Sequence, residues 1–199
     1  MRIVSGKNRG IVLKCPRGNS VRPTSDKVKE ALFQILESRY MAFERPAAVL
    51  DLFAGVGTLG LEALSRGAER VVFVDYAQRS LQYLEDNISR CNGDDECRVV
   101  KAHIPLSRGN LSRVGKYARF DLVFADPPYS RGLAEKAAVQ VVSEGLLANG
   151  AIMVIEDFGR TVMPERIEGS GLVVTLDSVR VYGQTGLWFY VAREGEEDV

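Results

Sequence analysis

Cysteine is scarce in this 199-residue chain, and Cys15, Cys91 and Cys97 have neither the paired spacing of a zinc site nor the density of a disulfide scaffold. A reducing compartment, the cytoplasm, is the expected setting. Cys91 and Cys97 flank the polar run Asn92-Gly93-Asp94-Asp95-Glu96 and read as loop thiols, with no metal site expected. Long apolar runs are missing too. No stretch reaches the roughly 18 residues needed to span a bilayer, and the charged start of the chain lacks the apolar centre of a signal peptide, so neither a membrane anchor nor export is expected. Internal repeats are absent. Net charge is absent overall: 26 Lys and Arg balance 26 Asp and Glu, which taken alone argues against a nucleic-acid partner.

That zero is unevenly divided. Residues 1–25 carry six basic side chains (Arg2, Lys7, Arg9, Lys14, Arg17, Arg22) and no acid, so the rest of the chain carries −6. A short segment free of acids suits phosphate, although a solvated basic face would look the same. With 46% hydrophobic residues, the length suffices for a sizeable core.

Arg2-Ile3-Val4 and Ile11-Val12-Leu13, separated by a turn-rich stretch, predict a small hairpin. Thr24 or Ser25 then caps an amphipathic helix whose apolar face is Val28, Ala31, Leu32, Ile35 and Leu36, running to about Tyr40. From Ala47 buried-type strands alternate with helices: strands at 49–53, 71–74, 98–101, 121–125 and 151–155, helices at 58–66, 78–90 and 133–147. This alternation predicts a parallel, doubly wound α/β sheet. Residues 172–182 and 187–192 lack an intervening helix, so they predict an antiparallel hairpin around Gly183-Gln184-Thr185-Gly186. An edge of that kind is unusual for a dinucleotide dehydrogenase and usual for enzymes that use S-adenosylmethionine.

Gly55-Val56-Gly57-Thr58-Leu59-Gly60 satisfies G-x-G-x-x-G after a strand and at the start of a helix. Such a loop brings backbone close to a ligand and offers unpaired helix amides. Asp51 stands four residues before the first glycine, where a carboxylate repels a pyrophosphate and favours the ammonium and sulfonium of S-adenosylmethionine. Asp75, at the end of the next strand, can accept both hydroxyls of an adenosine ribose, as it could for NAD.

Asp126-Pro127-Pro128-Tyr129 follows the strand ending at Ala125, and ligands in open α/β sheets lie beyond the carboxyl ends of strands. Methylating an exocyclic amine requires its N–H bonds held and its lone pair aimed. Asp126 and a carbonyl of the rigid proline pair supply two acceptors, and Tyr129 supplies a face for a stacked base. No cysteine lies near such a strand end, which disfavours methylation at a pyrimidine ring carbon. His103, the only histidine, follows the third strand and reads as cofactor-adjacent rather than catalytic.

Together with residues 2–10, 22–33, 51–64, 126–129 and Arg180-Val181-Tyr182-Gly183, these motifs closely resemble the RsmD-like family of bacterial 16S rRNA guanine-N2 methyltransferases, across nearly the whole chain. The resemblance implies a Rossmann-like, seven-stranded class I methyltransferase sheet in residues 24–193, preceded by a basic RNA-contacting hairpin arm in 1–23 and followed by an acidic tail in 194–199. It implies S-adenosylmethionine as cofactor, held by Thr24, Asp51, Phe53, Gly55, Gly57, Thr58, Asp75, Ala102 and His103, with the helix from Asp26 lying over its methionine end. Asp126, Pro127, Pro128 and Tyr129 would be catalytic, and Arg2, Lys7, Arg9, Lys14 and Arg22 would bind RNA. Where the family carries an acid against the adenine, this chain reads Lys101-Ala102-His103-Ile104, leaving His103 or backbone groups for that contact. The implied partner is 16S rRNA in the small ribosomal subunit, with the protein a monomer. Three alternatives stand beside this reading. They are an adenine-N6 methyltransferase, for which little chain remains to build a target-recognition domain, an NAD-dependent oxidoreductase, and a non-catalytic RNA-binding assembly factor.

Overall fold

The computed structural model describes residues 1–16, 26–45, 47–117, 119–129 and 132–195. Arg17 and Arg22 of the basic arm lie outside the described residues, as do Thr24 and Ser25, expected to hold cofactor or cap the first helix, and the tail from residue 196. In chain order the elements are α1 (Asp26–Tyr40), β1 (Ala48–Leu52), α2 (Thr58–Ser65), β2 (Arg70–Asp75), α3 (Gln78–Arg90), β3 (Cys97–Lys101), α4 (Arg108–Gly115), β4 (Phe120–Ala125), α5 (Leu133–Ser143), β5 (Leu147–Phe158), β6 (Arg166–Gly169), β7 (Leu172–Tyr182) and β8 (Thr185–Glu194).

The strands form one sheet in the order β3-β2-β1-β4-β5-β8-β7-β6. β1 to β5 run parallel, while β8 enters antiparallel between β5 and β7. Among the described residues the sheet therefore has eight strands rather than the seven expected. The extra one is β6, a four-residue edge paired antiparallel with β7. α4 was also not expected: it is polar, and Val114 is its one buried residue. The helix expected to reach Leu147 ends at Ser143, because Gly145 turns to φ 64° and Leu147 already begins β5.

Strand periodicity splits the apolar side chains between two cores. Val49, Phe73, Phe124 and Val154 face α1, α2 and α3, whereas Leu50, Val74, Val123 and Met153 face α5 and α4. On the first face Phe33 of α1 meets Phe124 at 5.7 Å and Tyr40 stacks on Phe189 at 5.8 Å. The β7–β8 ladder shifts register around Asp177, which bonds Arg39 and Tyr40 at the end of α1. Cys91 and Cys97 are not loop thiols. Both are buried in the first core, and burial raises both thiol pKa values, that of Cys97 to about 12.

The expected N-terminal hairpin is present in reduced form, with one antiparallel bridge (Arg2 with Val12) and backbone bonds joining Ile3 to Ile11 and Leu13 to Met1. Its apolar residues Ile3 and Leu13 enter the same core as α1 and α2. A buried ion network fastens it down. The Glu62 carboxylate accepts the Val4 and Ser5 N–H groups at 2.9 and 3.0 Å, and pairs with Lys29 at 3.2 Å and Arg66 at 2.9 Å. Lys29 Nζ also donates to the Arg2 carbonyl. Lys29 and Glu62 are fully buried, so removing either would leave an uncompensated charge, a loss of order 3–5 kcal/mol.

Candidate active site

The chain passes from β1 to α2 through Phe53, Ala54 and the glycine loop, and the backbone there is unusual. Phe53 takes φ 60°, rare for a bulky residue and a mark of stored strain. Gly57, at φ 86°, caps α2, and a Cβ on it would come within 2.5 Å of Leu84. A Cβ on Gly60 would approach the Phe73 ring to 2.3 Å, so this glycine sets how closely α2 lies on β2.

The two acids are wired into this loop. Asp51 is buried, and its Oδ2 accepts the Gly60 N–H at 2.9 Å. Burial raises its pKa from 3.8 to about 7, with the Gly60 N–H opposing and the nearby Asp75 charge adding to the rise. Asp75 accepts the Gly55 N–H through Oδ2 and the Ala77 N–H through Oδ1, both at 2.8 Å. Asn87, fully buried on α3, was not singled out from sequence. Its amide donates to the Val56 and Lys14 carbonyls and its oxygen accepts the Lys14 N–H, so it joins the glycine loop to the N-terminal arm.

Opposite the loop, at the carboxyl end of β4, Pro127 is buried, Asp126 and Tyr129 are half-buried and Pro128 is exposed. Tyr129 donates to Glu156 Oε1 at 2.9 Å and shares a 3.1 Å contact with Thr185 Oγ1, and its ring lies 6.4 Å from that of Phe158. Burial raises the Tyr129 pKa, and the charges of Glu156 and Asp126 add to the rise.

Both halves open on one cavity of about 500 Å³, within the usual range for small-molecule sites. Of the expected residues, Asp51, Phe53, Gly55, Thr58, Asp75 and Asp126 to Tyr129 line it. Gly57, Ala102 and His103 do not. Gly57 acts from behind, by shaping the turn. His103 is exposed and stacks on Tyr76 at 4.4 Å, and it is Tyr76 that faces the cavity. No described residue of α1 lines the cavity; α1 packs on Phe124 and Phe189. The lining residues that sequence reasoning missed are chiefly Met1, Tyr76, Ser80, Glu156 and Thr185. Tyr76 carried a usable signal, as the aromatic directly after Asp75. Met1 arrives through the folded arm, with its sulfur 3.3 Å from the Thr58 hydroxyl.

The basic arm is seated, with part of its charge engaged: Lys7 pairs with Glu96 at 3.6 Å and Lys14 with Asp86 at 2.8 Å. Arg2, Arg9 and Glu30 border a separate cavity of about 220 Å³. Among the described residues no cluster of His, Cys, Asp and Glu is placed to hold a metal ion, and no helix is long and apolar enough to cross a membrane.

Comparison with known proteins gives concordant matches. The sequence profile of the family described as conserved hypothetical protein 95 matches residues 1–191. Ribosomal RNA small subunit methyltransferase D of Escherichia coli is 35% identical over 156 residues, covering 78% of this chain and 74% of that protein. The protein of the same name from Haemophilus influenzae is 32% identical over 158 residues, covering 78% of each chain. The solved structure of a hypothetical protein from Thermus thermophilus superposes with a TM-score of 0.76 at 30% identity, covering 98% of this chain and 99% of that one.

Proposed function

The chain belongs to the RsmD family, described as conserved hypothetical protein 95, and from that premise we propose that it methylates the exocyclic N2 amine of one guanine in small-subunit rRNA, within an assembling or assembled subunit in the cytoplasm. It is an S-adenosylmethionine-dependent rRNA methyltransferase of class I fold. The observation that carries the reading is that the glycine loop with its two acids and the Asp126-Pro127-Pro128-Tyr129 turn face each other across a single cavity.

The residues on the loop side fit the cofactor. The backbone cradle at Gly55 leaves room for close approach, Asp51 offers a carboxylate to an ammonium, and Asp75 retains acceptor capacity for ribose hydroxyls beyond its two amide bonds. Bound there, S-adenosylmethionine supplies a methyl group already activated by its sulfonium charge. The protein's contribution is position and desolvation. Asp126 would accept one amine N–H and a carbonyl of the proline pair the other, which would hold the amine with its lone pair turned toward the loop side of the cavity. The surplus proton of the methylated amine would pass to the Asp126 carboxylate. Tyr129, with its hydroxyl held by Glu156 and Thr185, presents a fixed ring against which the extruded base stacks. Arg2 and Arg9, on the exposed side of the arm, together with Lys7, Lys14 and Arg22, contact RNA phosphates.

The test is incubation with tritiated S-adenosylmethionine and small subunits from cells lacking this protein. Label in rRNA that digests to N2-methylguanine at one position is expected. Label in DNA adenine, or none in any rRNA, would overturn the proposal.

A further inference from the structure

Glu156 is a buried carboxylate, 5% exposed, whose remaining surface contributes to the cavity wall opposite the glycine loop. A carboxylate at such a depth is unfavourable unless hydrogen bonds compensate it. Part of that compensation is the 2.9 Å bond donated by the Tyr129 hydroxyl to Oε1. A carboxylate offers about four acceptor positions, so it can hold Tyr129 and still receive a proton donor from a ligand in the cavity.

Register places Glu156 beside Asp126. β4 and β5 are parallel neighbours whose last pair is Ala125 with Ile155; Asp126 is the first residue past β4 and Glu156 the next residue of β5. Both line the same cavity, and the charges of both act on the Tyr129 hydroxyl. The result is two carboxylates on one wall, both acceptors when ionised.

We propose that Glu156 accepts the N1–H of the target base while Asp126 accepts the adjacent N2–H, making Glu156 the residue that selects guanine. The assignment rests on the reading of this site as a guanine-N2 methyltransferase. Guanine presents two neighbouring donors on its Watson–Crick edge. Adenine and cytosine present an amine beside a bare ring nitrogen, whose lone pair would face the Glu156 carboxylate without a proton between them. The buried Glu156 beside the half-buried Asp126 therefore admits guanine and rejects the other amino bases by leaving a desolvated acceptor unpaired.

Glu156 could instead serve only to hold Tyr129, and a base analogue separates the two roles. 2-Aminopurine keeps the N2 amine but carries a lone pair at N1. Small subunits reconstituted from ligated rRNA would carry either guanine or 2-aminopurine at the mapped target position. Methyl transfer would be compared for the wild type, Glu156→Gln and Tyr129→Phe. The wild type is expected to methylate 2-aminopurine about 10- to 100-fold more slowly than guanine. Glu156→Gln still accepts the tyrosine hydroxyl but can donate to N1, so its preference for guanine should shrink at least about tenfold. Tyr129→Phe removes the hydroxyl and its bonds to Glu156 and Thr185 while leaving the Glu156 carboxylate in place, and should slow both substrates with their ratio preserved. Equal rates for the two bases with the wild type would overturn the assignment without recourse to any variant. An unchanged ratio in a folded Glu156→Gln that binds S-adenosylhomocysteine would overturn it as well. A wild type inert toward the guanine subunit overturns the proposed function itself, and this assignment with it.

Discussion

The two walls of the cavity are built on different plans. The wall to which we assign the cofactor comes almost entirely from residues 51–60 and 75–80, and its acids are anchored by backbone amides: Gly60 holds Asp51, while Gly55 and Ala77 hold Asp75. The acceptor wall is gathered from β4, β5 and β8, far apart in sequence, and is held by side chains bonding side chains, Tyr129 to Glu156 and Thr185. A wall tied to backbone tolerates change in the chemistry opposite it. A wall made of mutually supporting side chains can change its substrate without disturbing the cofactor. This difference predicts that lesions on the two sides separate cleanly into catalysis and binding.

The largest separation is expected for Asp126→Ala. Methyl transfer should fall by roughly 100- to 1,000-fold, the scale of losing one oriented electrostatic partner, while calorimetric affinity for S-adenosylhomocysteine stays at the wild-type value. A parallel loss of cofactor affinity would show that the walls are not independent. Gly60→Ala is the converse. Its new methyl would overlap the Phe73 ring, costing about 1–3 kcal/mol by urea denaturation and weakening cofactor binding, with turnover at saturating cofactor much less affected.

A subtler probe is the proton on Asp51. Its pKa in the folded protein, about 7, lies above the ordinary 3.8, so the folded state holds this proton more tightly than the unfolded one. The stability it contributes is fully present below about pH 4 and is lost as pH rises through about 7. Asp51→Asn should therefore flatten the stability profile across that window. A bound ammonium favours the carboxylate, so S-adenosylhomocysteine binding near pH 7 should release a fraction of a proton, detected by calorimetry in buffers of different ionisation enthalpy. The release should vanish in Asp51→Asn. The smallest effect belongs to the arm. Arg2→Ala with Arg9→Ala should weaken RNA binding several-fold and lower its salt slope by about 1 to 2, whereas a Lys7→Ala, Lys14→Ala pair, whose charges are already partnered, should change it less.

The contrast between the walls also explains what could be read from the sequence. The strand-turn-helix carrying Asp51 and the glycines is contiguous, and every expected element around it is present. The acceptor wall was legible only at Asp126 to Tyr129. Glu156 lies one residue beyond the expected end of its strand, because a charge ordinarily closes an apolar run, yet β5 continues to Phe158. Thr185 belongs by sequence to the Gly183–Gly186 turn but is the first residue of β8. Both missed residues sit where strands extend past their apolar segments to reach the site. α4 and β6 lack a readable pattern for a related reason: Val114 and Ile167 are their sole buried residues, too few to impose a period. Glu62 and Lys29 are of residue types that ordinarily face solvent on a helix, yet they are the buried bolt of the arm, and no local pattern distinguishes them from surface ions.

The interior position of β8 bears on how the chain matures as it is synthesised. Residues 185–194 emerge after every other strand, yet they belong between β5 and β7. Until they do, a nascent chain can assemble its parallel half and the cofactor wall, while the outer edge of β5 stays open and Thr185 is missing from the acceptor wall. One strand, β8, thus both closes the edge of β5 and brings Thr185 to Tyr129, so completing the sheet and completing the acceptor wall are a single event.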